Sequence, residues 1–167
     1  MKNSVIIEKI NLFRNKFYLN LIIKGILLSI FFSINGFLLI VFLEHLVWFD
    51  SKFRQFIFWG FCISSLIFII YNIIIPFLKI YRFGNIISNK QAASIIGEYF
   101  RDIDDKLLNL LELEEINDKH SDLLIASINQ KTEHLNKFKF EDVINFSSNK
   151  KYLKLLIIPT TIIILIF

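Results

Sequence analysis

Two long uncharged runs dominate the alternation of hydrophobic and polar positions. Gly25–Leu43 and Phe56–Leu78 span nineteen and twenty-three residues without an Asp, Glu, Lys or Arg. At about 1.5 Å per helical residue they reach about 28 and 34 Å, enough to cross a hydrocarbon core. The alternative, two buried helices of a soluble core, asks a chain of 167 residues to cover both with protein, which its size does not allow. A cleavable signal peptide is also disfavoured, because Glu44-His45-Leu46-Val47-Trp48 follows the first run where a small-residue cleavage site would stand. The connector, residues 44–55, is too short to do more than turn the chain back, so the two runs form a helical hairpin.

A third apolar run starts near Tyr152 and continues to Phe167, at most about 24 Å if helical, which is short by several residues. Its ending on Ile-Ile-Ile-Leu-Ile-Phe suggests the front of a longer polypeptide, with a tail anchor as the alternative. Before the first span, Ile6, Ile10, Phe13, Phe17 and Leu21 recur at spacings of four and three, while Lys9, Arg14 and Lys16 fall largely off that stripe. This predicts an amphipathic helix over residues 1–24, read as an interfacial arm lying apolar side down on the inner leaflet, with a bend at Lys24–Gly25. A continuous helix extending the first span is the alternative.

Residues 79–151 return to a soluble pattern and predict a small three-helix insert. Ser88 and Gln91 make a capping box for a helix carrying Ala92, Ile95, Ile96 and Tyr99. Asp102 or Asp104 can cap a second, with Leu107, Leu108 and Leu111. Ser121 can cap a third, with Leu124, Ile125, Ile128 and Leu135. Phe138-Lys139-Phe140-Glu141-Asp142-Val143 alternates like an edge strand or docking peptide, making Phe138 and Phe140 candidates for a partner contact, unless the segment is only a tether back to the third run.

Composition and charge sharpen this picture. The chain is 54% hydrophobic and 20% charged with mean hydropathy +0.55, too oily for water to be its only solvent. The net charge of +4 lies wholly in residues 1–24, where Lys2, Lys9, Arg14, Lys16 and Lys24 face Glu8 alone. A basic cluster abutting an apolar run points to anionic lipid headgroups, not to nucleic acid. Lys and Arg flank the outer ends of the hairpin more heavily than its connector, so positive-inside counting places the N-terminus and residues 79–151 in the cytoplasm. Trp48, Trp59 and Tyr81 sit where headgroup-depth anchors belong.

Within the spans, Gly25, Ser29, Ser33 and Gly36 fall on one side of the first helix, and Gly60 and Ser64 repeat the small-residue spacing in the second. Asn35 and Asn72 need hydrogen-bond partners in oil and could meet across the hairpin. These eight residues read as helix-packing positions; with no Asp, Glu, Lys or Arg in either span, a proton or ion path has nothing to run on. One Cys, Cys62, excludes a disulfide scaffold and a thiolate metal cage. Asp102, Asp104 and Asp105 lack the Gly and later Glu of a calcium loop, His120 and His134 have no partners at metal spacing, and Gly84 and Gly97 stand alone without a phosphate loop. No catalytic residue, cofactor or metal is expected.

The segments Ala92-Ala93-Ser94-Ile95-Ile96-Gly97-Glu98-Tyr99-Phe100, Asp105-Lys106-Leu107-Leu108-Asn109-Leu110-Leu111-Glu112-Leu113 and Leu124-Ile125-Ala126-Ser127-Ile128-Asn129-Gln130-Lys131-Thr132 resemble the front of a family of large bacterial inner-membrane proteins known as a domain of unknown function. That resemblance implies two spans, a cytoplasmic helical insert, a third span and a long extracytoplasmic helical part. It supplies no activity and no functional residue. The expectation is an all-α membrane protein of the bacterial inner membrane, a non-enzymatic anchor or scaffold whose partners are the lipid bilayer and a protein, or another copy of itself, met through the spans. A membrane subunit coupling the insert to the other side, in signalling or transport, is the alternative.

Overall fold

The computed structural model describes residues 3–115 and 130–166, and every element in them is helical. By contacts the chain divides into a helical domain, Met1–Phe17 with Arg82–Asn145, and an apolar unit, Tyr18–Tyr81 with Phe146–Phe167. Helix α1, Asn3–Val47, supplies residues to both.

In the apolar unit, α1 is followed after a three-residue turn by α2, Ser51–Ile69, a π turn, Ile70–Ile74, and α3, Ile75–Ile80. The connector is thus much shorter than the twelve residues that the charge pattern marks, because helix continues through Glu44–Val47 and restarts at Ser51. Two helical stretches, Val5–Val47 and Ser51–Ile80, are long and apolar enough to cross a membrane. Only 6% and 0% of their most apolar windows is buried, the reverse of a soluble core helix. The third run forms α7, Lys150–Leu155, and α8, Ile157–Ile166, separated by Leu156. Pro159 accounts for the break: it has no amide hydrogen for the Leu155 carbonyl four residues back, and its ring crowds that carbonyl. Leu156 N–H bonds instead to Leu153 O at 3.1 Å.

The helical domain contains α4, Asn89–Tyr99, α5, Asp104–Glu115, helical residues 130–135 (α6), and a 3-10 turn at Phe140–Val143; a second 3-10 turn, Phe146–Asn149, belongs to the apolar unit. Ser88 caps α4 as the sequence predicts, its Oγ accepting from Gln91 N–H at 3.1 Å while Gln91 Oε1 accepts from Ser88 N–H at 2.9 Å. The third predicted helix is described only from residue 130, so Ser121, Leu124, Ile125 and Ile128 lie outside the described residues, as does His120. Segment 138–143 is not a strand: its Phe140–Val143 part winds into a 3-10 turn.

One core holds this domain. Ile6, Ile10 and Phe13 of α1 are buried with Ala92, Ala93 and Ile96 of α4, Ile103 just before α5, Leu107, Leu110 and Leu111 of α5, Leu135 of α6, and Phe140. The first half of the arm's amphipathic stripe, Ile6, Ile10 and Phe13, is therefore covered by protein, with Phe17 partly buried against it, and helix runs unbroken through Lys24 and Gly25 where the sequence suggests a bend. The reason is energetic: α4 and α5 each carry one apolar stripe and need a third surface to bury it, which α1 provides.

Phe13→Ala is expected to lower the stability of the helical domain by about 3–5 kcal/mol, whereas Leu12→Ala, on the exposed side of the same turn, changes it by about 0.5 kcal/mol or less. Thermal unfolding of the two variants in detergent, followed by circular dichroism, checks this; equal and small effects would mean that the stripe is not a protein core.

Candidate functional site

The strongest constellation of the apolar unit is the seam between α1 and α2. Gly25, Ser29, Phe32 and Gly36 follow one another at spacings of four, three and four, and so do Phe61, Ser65, Phe68 and Asn72, the repeat that keeps one face turned toward a partner helix. Three close contacts fix the pairing. A Cβ at Gly25 would lie 2.8 Å from the Asn72 carbonyl carbon and closer still to its oxygen. A Cβ at Gly36 would lie 2.6 Å from Phe61 Cε2. Between them, the Phe32 and Phe68 rings stack at 4.8 Å with an interplanar angle of 6°.

Backbone chemistry explains the close approach at Asn72, in the π turn that follows α2. Pro76, early in α3, cannot donate to the Asn72 carbonyl four residues back. The chain widens there into the π turn, with Ile75 N–H bonding Ile70 O. The Asn72 carbonyl then packs on Gly25, where the missing side chain makes room.

The remaining predicted packing residues divide. Ser29 is buried at 7% exposure, its Oγ without a hydrogen-bond partner, and Ser33 is half-buried. Gly60 and Ser64 do not belong to the seam: both are exposed, and a Cβ on Gly60 would meet nothing within 4 Å. They lie one position away from the Phe61–Ser65 ridge, which the small-residue rule overlooked because the ridge is aromatic. Asn35 and Asn72 do not bond each other either. Asn35 Nδ2 donates to Phe31 O at 2.8 Å and Asn72 Nδ2 to Phe68 O at 2.9 Å, each four residues back on its own helix. Ser64, Thr160 and Thr161 use the same local device, donating to Phe61 O, Leu156 O and Ile158 O.

At the hairpin turn Trp48 takes φ 53°, the left-handed conformation that ends α1. Arg54 pairs with Glu44 Oε1 at 2.6 Å and donates to Phe49 O at 3.3 Å, tying both sides of the turn. With the Arg54 side chain 64% exposed, this pair is worth about 0–1 kcal/mol in water. At the other end of the spans, Asn149 Nδ2 donates to Asn20 Oδ1 at 2.7 Å, and the Lys24 and Lys151 ammoniums lie 5.4 and 5.0 Å from the centroid of the Tyr152 ring.

In the helical domain the polar side chains of α1 fasten the core. Lys9 Nζ donates to Asn136 O at 2.7 Å and Phe138 O at 3.2 Å, just past α6, where a cation suits the helix dipole. Partial burial pushes the Lys9 ammonium below the ordinary lysine range. Arg14 donates to Asn89 Oδ1 at the start of α4 and to Asn11 Oδ1 at 3.2 Å. Phe138 and Phe140, expected as a partner contact, are instead used inside this domain. Phe140 is 1% exposed, and the Phe138 ring packs edge-on against Phe100 at 5.4 Å. Their alternation with charge mimics an edge strand, but aromatic rings this large are buried by whatever apolar surface folds beside them.

Among the described residues no group of three or more His, Cys, Asp or Glu could hold a metal ion. Scans against family models, curated proteins and solved structures found no match to this chain.

Gly25→Ala is expected to lower hairpin stability by about 1–3 kcal/mol, because a backbone carbonyl cannot move aside. Gly60→Ala is expected to be neutral or to stabilise by up to about 1 kcal/mol through helix propensity. Melting temperatures of the two variants in one detergent separate the faces; identical shifts would contradict the seam.

Proposed function

We propose that this chain is a multi-pass membrane protein serving as a non-enzymatic anchor or scaffold module, its helical domain in the cytoplasm and its hairpin in the cytoplasmic membrane. The observation that carries the reading is the combination of two long helices whose apolar surface no protein covers with a separate, well-packed soluble core. A body of the first kind needs lipid as solvent, and a body of the second kind needs none. Sidedness rests on charge: Arg14, Lys16, Lys24, Lys79, Arg82 and Lys90 flank the outer ends of the two spans against Lys52 and Arg54 at the turn. A scaffold role fits side chains that are spent on packing, capping and tethering. The family that residues 92–132 resemble supports the same architecture and adds, as part of this proposal, a third span leading outward from Lys150, Lys151 and Lys154.

Reporter fusions test the sidedness. A fluorescent protein fused after Lys90 should light up and alkaline phosphatase at the same point should be inactive, with the opposite pattern for fusions after Lys52. An active phosphatase after Lys90 would overturn the topology.

A further inference from the structure

Resting on the membrane reading above, the geometry points to a binding site for the phosphate of an anionic phospholipid headgroup, formed by Lys24, Lys151 and Tyr152, with an acyl chain entering the recess beside Lys24. Both ammoniums address one ring, at 5.4 and 5.0 Å from its centroid, so their nitrogens are no more than about 10.4 Å apart. That upper bound is comparable to the Debye length of about 8 to 10 Å, so salt weakens the repulsion between the two charges without abolishing it. Ring electrons offset part of this repulsion but carry no net negative charge.

Nor does the apolar unit hold a carboxylate to neutralise the pair. Its acids are Glu44 and Asp50, both at the hairpin turn, and Glu44 lies twenty residues along α1 from Lys24, about 30 Å of helix. At the basic end Lys150 and Lys154 add two further cations on α7. The arrangement is also held in place. Asn149, 6% exposed, bonds Asn20 and fixes the start of α7 against α1, which brings Lys151 and Tyr152 to Lys24. Two ammoniums at one ring, without an internal anion and on long flexible stems from a pinned scaffold, suit a phosphodiester that accepts from both.

The surroundings select a lipid over a free anion. Lys24 lines a recess of about 190 Å³ whose other walls are Leu21, Gly25, Tyr71, Asn72 and Pro76. Leu153, Leu155, Ile157 and Ile158 stand exposed next to Tyr152 in sequence. An inorganic phosphate would use the lysines and leave this apolar surface to water; a phospholipid covers both.

Native mass spectrometry of the full chain in detergent tests the site, with dioleoylphosphatidylglycerol or dioleoylphosphatidylcholine added at equal concentration. Phosphatidylglycerol should be retained about tenfold more, and Lys24→Gln with Lys151→Gln should remove most of that preference, while Lys52→Gln at the turn leaves it intact. Millimolar inorganic phosphate should not displace the lipid. Equal retention of the two lipids overturns the proposal, and displacement by phosphate reassigns the lysines to a soluble anion and overturns it as well. If the double variant loses helix by circular dichroism, the wild-type preference and its decline with added salt decide the matter: a preference insensitive to salt is contrary to the proposal. A chain that needs no detergent at all refutes the membrane reading, whereas a detergent-dependent chain without lipid preference refutes only this site.

Discussion

Oil offers a peptide group no partner, and on the proposed membrane reading that constraint organises the apolar unit. Each carbonyl and amide along α1 and α2 must be satisfied inside its own helix, since leaving one bare in hydrocarbon costs several kcal/mol. The side chains obey the same constraint. Asn35, Asn72, Ser64, Thr160 and Thr161 all turn back to carbonyls three or four residues earlier, so these polar groups are satisfied within their own helices and do not join one helix to another. What remains to join the helices is shape: two glycines, a stacked pair of rings and the packing between them. The chain's two prolines mark the points where regular bonding fails, one beside the π turn and the other after the break between α7 and α8.

The helical domain answers to a different solvent. Its core is made of aliphatic side chains from four helical segments with Phe13 and Phe140 as the largest rings, which is what water drives together. Helix α1 serves both regimes along its 45 residues. Ile6, Ile10 and Phe13 are buried by protein, while Ile26, Ile30, Phe37 and Leu39 remain uncovered. On the proposed reading, the change in what covers the helix follows a change of medium.

Much of this was legible before any coordinates. Uncharged runs of helical length mark the two long apolar helices, and the Ser88–Gln91 box marks the start of α4, because both signals are local. The stripe of Ile6, Ile10 and Phe13 was equally legible as a stripe, but periodicity states only that one face is apolar and never says what covers it; protein and lipid ask for the same pattern. Phe138 and Phe140 misled for the same reason. Gly25 and Gly36 stand out as small residues, whereas Phe61, which packs on Gly36, and Phe68, which stacks on Phe32, carry no small-residue signal, so small-residue spacing places the partner face one residue off at Gly60 and Ser64. The Asn72–Pro76 relation is a four-residue backbone effect that could have been read from the sequence, since a proline always strands the carbonyl four residues before it.

The claim beneath all of this is that lipid solvates the uncovered faces of α1 and α2. Stripping detergent from the purified chain tests it most directly, with size-exclusion chromatography and circular dichroism as the readouts. The account predicts that the chain stays helical and monodisperse only with detergent or lipid present and aggregates without them. A folded, dispersed monomer in plain buffer would contradict it.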